Sequence, residues 1–135
     1  MSFLPPAGHT SAEIQTVIAW HEALNSGDVE RLVGLSHPDV EVGGPRGTGH
    51  GVQILREWVD RANIHLDLGR IFRDGDTVVV EQAAAWTSTE SSSRQTVTSV
   101  FSVHDGLVMS VVRYPGLAEA LRAAGLDETQ EIRPE

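Results

Sequence analysis

The stretch that most constrains the fold is a predicted β-hairpin over residues 95–114. Asp105-Gly106 sits between an alternating first arm and a valine-rich second arm, residues 107–113. Alternation of period two on either side of Asp-Gly is a strong local signal for a hairpin with a two-residue turn. Both arms carry apolar residues on both faces, so one face should be covered by helices and the other by another surface.

Three helices are predicted ahead of the long strands. Thr10 and Glu13 form a capping-box pattern at the start of a helix with a broad apolar face. Gly27 ends that helix and Asp28 caps a short second one. A third helix is predicted over residues 52–62, where apolar side chains recur at helical spacing.

The remaining elements complete an α+β order, in which helices precede a run of antiparallel strands. The predicted pieces are a short strand at 40–42, an irregular glycine-rich loop at 43–49, strands at 64–72 and 77–88, and a terminal helix at 117–124. A twisted sheet that curls around the helices leaves a cone-shaped cavity, which is the default binding site. Residues 10–126 are predicted to form a single domain, with flexible ends at 1–9 and 127–135.

Composition excludes several classes of function. The 135 residues carry a formal net charge of −9, which argues against binding to nucleic acid or to anionic membranes. Lysine and cysteine are both absent, which excludes Schiff-base chemistry, thiol nucleophiles, disulfides and cysteine metal sites. No signal-peptide pattern or membrane-length apolar run is present, so we expect a cytoplasmic protein.

Three segments carry a resemblance to a known fold. The run WHEALNSGD at residues 20–28, the segment DVEV at 39–42 with Pro45, and HDGLV at 104–108 with Arg113-Tyr114 resemble the nuclear transport factor two superfamily. That superfamily includes ketosteroid isomerases, limonene-epoxide hydrolases and SnoaL-like polyketide cyclases. The resemblance covers about residues 13–121 and implies a cystatin-like cone, with three N-terminal helices packed on a curled antiparallel (mixed) sheet. It is specific for the fold and poor for function, because this fold hosts many chemistries.

The catalytic residues of these families are not matched here. The tyrosine, the general base and the second aspartate of ketosteroid isomerases fall on Trp20, Gly44 and Ser99. The arginine and the two aspartates of limonene-epoxide hydrolases fall on Gln82, Ala84 and Arg113. No His and Asp stand at the places of the SnoaL-type catalytic pair. We therefore expect neither ordinary ketosteroid isomerisation nor epoxide hydrolysis by activated water.

The resemblance also implies which residues face the cavity. The predicted ligand-binding set is Trp20, Trp58, Gln82, Trp86, Ser99, Phe101 and Met109. Large aromatic residues and a methionine around a cavity suit a flat, ring-shaped apolar ligand. The alternative is that they only fill the core, as large aromatics commonly do.

Arg113 is the most informative candidate, because it lies among apolar strand residues on the cavity parity. A guanidinium stays charged and requires an anionic or carbonyl partner. One interpretation is a clamp for a ligand carboxylate or enolate oxygen. The other is an internal pair with Glu41, Glu81 or Asp67, or a strand-end residue that reaches solvent.

Two further residues are candidate proton carriers. His50 lies at the glycine-rich loop near the expected cavity mouth, and Asp67 shares a strand face with His65. Both can also be ordinary surface groups. No His-Glu-x-x-His or His-x-His spacing points to a metal site.

The sequence thus predicts a cofactor-independent protein that binds a small apolar ring compound in the cone. Such a protein could be an isomerase, cyclase or hydrolase in which Arg113 stabilises an oxyanion and His50 or Asp67 moves a proton. The alternatives are a non-catalytic ligand-binding module and a dimeric protein-interaction module. A homodimer is expected, because outward-facing Val100, Val108 and Val112 would need cover.

Overall fold

A computed structural model of the protein describes residues 12–44, 47–62, 64–87 and 92–132. Within these residues the α-helices are α1 (Ala12–Ser26), α2 (Val29–Gly34), α3 (Val52–Ala62) and α4 (Leu117–Ala124). The strands of the same ranges are β1 (Ser36–Gly44), β2 (Gly47–His50), β3 (Ile64–Asp74), β4 (Thr77–Thr87), β5 (Ser92–His104), β6 (Leu107–Tyr114) and β7 (Glu131–Ile132). None of the described helices combines the length and apolar character that a bilayer crossing requires.

The strands form one curled mixed sheet in the order β2-β1-β6-β5-β4-β3-β7. β1 runs parallel to β6, and the other neighbours are antiparallel. The helices before β3 and this curled sheet confirm the predicted α+β cone. The hairpin turn is also as predicted, since Asp105 and Gly106 have φ of 53° and 76°, the positive values that a type I′ turn requires.

α1 lies in the hollow of the sheet and contributes much of the main core. Ile14, Val17, Trp20 and Leu24 are buried there against the inner residues of β4 and β5. The Asn25 side chain fixes the end of α1 to β3, because it accepts from the Leu66 N–H and donates to the Leu66 carbonyl, both at 2.9 Å. This anchor sets the position of Trp20 and its neighbours over the sheet.

α4 covers the opposite, outer face of the sheet. Ala120 and Leu121 pack there with Phe72 and Val79, and Val100 is half-buried against this second cluster. Val108 does not point outward as expected but is fully buried in the inner core. The reason is an irregularity in the β5–β6 pairing between Ser102 and Val103, which shifts the facing of β6 near its start. The chain itself thus buries part of the apolar surface, at Val100 and Val108, that was expected to be covered by a second copy.

Two segments differ from the sequence expectation. The glycine-rich stretch is not a loop throughout, because β2 pairs with β1 as an edge strand. The acidic end is not frayed over residues 127–132, since β7 pairs with β3 and Arg70 binds Glu128 and Glu131 at 2.9 and 3.0 Å. Thr10 lies outside the described residues, so the predicted capping box stays a prediction.

Candidate functional site

A cavity of about 660 Å³ opens between α1, the glycine-rich ends of β1 and β2, and the inner face of β3 to β6. Its apolar wall is formed by Val42, Leu66, Val97 and Val111. Its polar side chains come from Gln82, Gln95, Ser99 and Arg113, while Tyr114 also borders it but packs its ring against the outer cluster with Phe72 and Val79. This size lies within the range of small-molecule sites, and the mostly apolar wall with a few converging polar groups is typical of them.

The glycines at one side of the cavity leave its edge without side chains. Gly43, Gly44 and Gly47 all line the opening. A Cβ at Gly44 would lie 3.8 Å from the Cβ of Arg113, so the two residues are direct neighbours across β1 and β6. The position that holds the general base in ketosteroid isomerases therefore places no functional group beside Arg113.

Arg113 is the one charged side chain among the described residues that line the cavity. It is half-buried, and burial lowers the pKa of its guanidinium from the ordinary value, although an arginine remains protonated at neutral pH. The described part of the chain gives it neither an ion pair nor a hydrogen-bond acceptor. The guanidinium thus keeps its donors available to the cavity.

The predicted internal partners of Arg113 are engaged elsewhere or make no contact with it. Glu41 lies 3.8 Å from the His50 imidazole, and Asp67 lies 2.9 Å from His65. Glu81 forms no contact with Arg113 in the described structure. The interpretation of Arg113 as half of an internal ion pair thus finds no partner among these three residues, whereas a ligand clamp and a strand-end residue that reaches solvent both stay predictions.

Trp20 borders the cavity but is fully buried, so its ring lies behind the accessible wall. Its indole N–H donates to Ser36 Oγ at 3.2 Å, and Ser36 donates in turn to the Leu32 carbonyl at 2.9 Å. The ring packs edge-on against Phe101, with centroids 5.2 Å apart. Phe101 is fully buried beneath Trp20 and outside the cavity lining, so it supports the wall without forming it.

A chain of buried polar groups runs from α1 to the cavity. His21 Nδ1 lies 2.7 Å from the Val17 carbonyl, and His21 Nε2 lies 2.7 Å from Gln82 Nε2. Ser99 Oγ donates to Gln82 Oε1 at 2.9 Å. The three side chains are almost completely buried, with exposures of 2% for His21, 1% for Gln82 and 4% for Ser99. Burial lowers the pKa of His21 to about 4, so its imidazole is neutral at pH 7.

His21 contributes to this chain of polar groups, although the sequence patterns described above do not single it out as a site residue. Its position gives the signal, because it lies four residues after Val17 and three before Leu24, on the apolar side of α1. A histidine at such a position must be buried neutral and hydrogen-bonded.

The other predicted site residues lie outside this cavity or outside the described side chains. His50 is exposed on β2, and Asp67 is exposed on the face of β3 opposite the buried Leu66. Neither lines the cavity, so the geometry does not support a role for them beside Arg113. Met109 is half-buried at the irregular start of β6 and is not part of the lining. The side chains of Trp58 and Trp86 fall outside the described residues.

Metal binding finds no candidate in the described structure. Across residues 12–44, 47–62, 64–87 and 92–132, no three His, Asp or Glu side chains converge as metal ligands. The described residues that line the cavity offer hydrogen bonds, one fixed positive charge and apolar contact.

Comparison with known families and structures agrees with this architecture. A family model described as a SnoaL-like domain matches residues 17–111. A sequence search against curated proteins gave no match.

Several solved structures share the fold. TerC, co-crystallised with polyporic acid, is 21% identical over 84% of this chain and 97% of its own, with a TM-score of 0.71. An LEH-like epoxide hydrolase from M. tuberculosis is 22% identical over 84% of this chain and 89% of its own, with a TM-score of 0.71. A putative ketosteroid isomerase from Kribbella flavida is 18% identical over 78% of each chain, with a TM-score of 0.68. At these identities the likeness shows the fold alone.

Proposed function

The chain belongs to the SnoaL-like domain family, and we propose that it binds a small, ring-shaped apolar molecule whose carboxylate, enolate or carbonyl oxygen is held by Arg113. The observation that carries this proposal is the half-buried guanidinium that lines the cavity without a partner from the described residues. A charge removed from water without a partner is unfavourable, and a ligand oxygen would offset that loss.

The electrostatics of the cavity support an anionic ligand. The protein as a whole carries a formal charge of −9, whereas no Asp or Glu is among the described residues that line the cavity. In a site of low dielectric, one uncompensated arginine attracts an anion far more strongly than it would on the surface. The cavity lining formed by the described residues thus carries a positive charge, whereas the net charge of the protein is negative.

The walls support a ring-shaped body for the ligand. Val42, Leu66, Val97 and Val111 form apolar wall on several sides of the cavity. The buried indole of Trp20 is fixed behind that wall by its hydrogen bond to Ser36 and its packing on Phe101, so this part of the wall does not have to be ordered on binding. A volume of about 660 Å³ lies within the range of small-molecule sites.

A catalytic form of this function is the second candidate. A guanidinium aimed at a carbonyl oxygen can stabilise the enolate that forms when a neighbouring carbon loses a proton. A cofactor-independent isomerase, cyclase or hydrolase would also need a proton carrier that reaches the ligand. The epoxide hydrolase and putative ketosteroid isomerase with the same fold show the kinds of reaction to assay first.

A dimeric interaction module is less favoured as the main function. α4 already covers part of the outer sheet face that such a module would use. Homodimer formation remains compatible with ligand binding, because the cavity opens on the other side of the sheet.

The test is an equilibrium titration with a minimal ligand and its neutral counterpart. We expect 2-naphthoate to bind and methyl 2-naphthoate to bind more weakly. Arg113→Met keeps an apolar stem but removes the charge, and a lost charge-assisted hydrogen bond of about 1.5–3 kcal/mol weakens 2-naphthoate about 10- to 150-fold.

Arg122→Met is the matched control, because Arg122 is an exposed arginine on α4, away from the cavity. This variant should bind 2-naphthoate like the wild type. Equal affinity of the wild type and Arg113→Met, or no binding of any carboxylate tested, would contradict the proposal.

A further inference from the structure

The chain of buried polar groups has a direction that a backbone atom sets. The Val17 carbonyl can only accept, so His21 Nδ1, at 2.7 Å, must carry the imidazole hydrogen. A neutral imidazole has only one N–H, and burial lowers the pKa of His21 to about 4. His21 Nε2 therefore presents a lone pair to Gln82.

That lone pair fixes the orientation of the Gln82 amide. The amide NH₂ must face His21 Nε2, at 2.7 Å, because an amide oxygen there would meet a second acceptor. The Gln82 Oε1 atom consequently faces Ser99, which must donate its only hydroxyl hydrogen to it, at 2.9 Å. Ser99 Oγ is left with lone pairs and no hydrogen for the cavity.

Ser99 and Arg113 are direct cross-strand partners in the β5–β6 ladder, and both line the cavity. Paired residues on one face of a sheet lie close together, with Cβ atoms about 4.5–5.5 Å apart. Towards the cavity, the Arg113 guanidinium can only donate hydrogen bonds and the Ser99 hydroxyl oxygen can only accept them. The inner sheet face thus places a fixed donor next to a fixed acceptor.

We propose that Ser99 selects the ligand by accepting a hydrogen bond, so that the natural ligand is a hydroxylated ring compound whose O–H lies on the same edge as the oxygen bound by Arg113. The selection of a hydroxylated ligand rests on the proposed function, whereas the direction of the hydrogen bonds from His21 to Ser99 does not. A methyl ether in place of the hydroxyl brings an oxygen lone pair and a methyl group against Ser99 Oγ, with no hydrogen to donate.

The direction of the polar chain is tested without any ligand. Long-range ¹H–¹⁵N correlation spectra at pH 7 identify which ring nitrogen of His21 is protonated. We expect the Nδ1–H tautomer. An Nε2–H tautomer would turn the Gln82 amide round, release the Ser99 hydrogen to the cavity and overturn the inference, while leaving the role of Arg113 intact.

The ligand selection is tested with 2-naphthoate, its 4-hydroxy and 5-hydroxy derivatives, and the methyl ethers of both. At least one hydroxy compound should bind the wild type about tenfold more tightly than its ether, the expected size of a selective hydrogen bond. Ser99→Ala should abolish that preference, measured as the ratio of the hydroxy-compound and ether affinities within that variant. Ser102→Ala, on the outer parity of β5, should keep the preference.

The outcomes separate the two proposals. Ethers that bind the wild type as tightly as the phenols, or a preference that survives in Ser99→Ala, would refute selection by Ser99. If selection by Ser99 fails in this way but Arg113→Met loses 2-naphthoate binding, the proposed binding of an anionic ligand by Arg113 is still supported.

Discussion

The buried histidine predicts a specific dependence of stability on pH. In the folded protein the pKa of His21 is about 4, whereas the ordinary value in an unfolded chain is 6.5. Between these values the unfolded chain binds a proton that the folded protein does not. The free energy of unfolding therefore falls as the pH falls through this range, and below about pH 4 this group contributes no further loss.

The magnitude follows from the two pKa values. Linkage gives a loss of about 2 kcal/mol between pH 7 and pH 5, and about 3 kcal/mol in total once the pH is below both pKa values. The prediction is large against a typical domain stability of 5–15 kcal/mol. It should be visible in urea unfolding curves recorded at half-unit steps from pH 7.5 to pH 4.5.

His21→Leu isolates this contribution, because every carboxylate and every other histidine is retained. The variant should be less stable at pH 7, but the wild-type advantage should shrink by about 2 kcal/mol at pH 5. The matched control is His50→Leu, which removes an exposed imidazole and should keep the wild-type pH profile. A difference between wild type and His21→Leu that stays constant from pH 7 to pH 5 would refute a buried neutral histidine.

Three further results are expected. Gln82→Met leaves His21 Nε2 without a donor and should lower the free energy of unfolding by about 1–3 kcal/mol. The double variant with His21→Leu should lose less stability than the sum of the two single variants, because both remove the same hydrogen bond. Additive losses in urea unfolding would contradict that hydrogen bond. Gly69→Ala should lower the free energy of unfolding by about 1–3 kcal/mol, because a Cβ there would lie 2.9 Å from the Glu81 carbonyl oxygen. Unchanged stability in urea unfolding would contradict that close approach. Arg70→Met removes the ion pairs to Glu128 and Glu131, so the backbone amides of β7 should exchange hydrogen faster, while the exchange rates in β5 should not change. Unchanged exchange in β7 would mean that pairing with β3 alone holds this strand.

The sequence predicts the hairpin, α3 and α4 well because each is determined by local chemistry. Asp105-Gly106 supports a type I′ turn, and the helical spacing and flanking glycines set the helix ends. The cone itself followed from the resemblance, since curvature of a sheet is not encoded in any one segment.

The misplaced residues are those whose position depends on tertiary register. Val108 turned inward because the irregular β5–β6 pairing shifts its facing, and no local pattern marks that irregularity. The β7 strand depends on pairing with β3 and lies beside the ion pairs of Arg70 with Glu128 and Glu131, and all of these contacts join segments distant in sequence. His21 became part of the site through Gln82, which lies 61 residues away along the chain.

The most direct measurement is a crystal structure of the protein with 2-naphthoate or its tightest-binding hydroxy derivative. We expect the carboxylate within hydrogen-bond distance of the Arg113 guanidinium, the rings against Val97 and Val111, and any hydroxyl directed at Ser99 Oγ. A ligand seated on the outer face near α4, or one whose carboxylate points away from Arg113 within the cavity, would contradict this expectation.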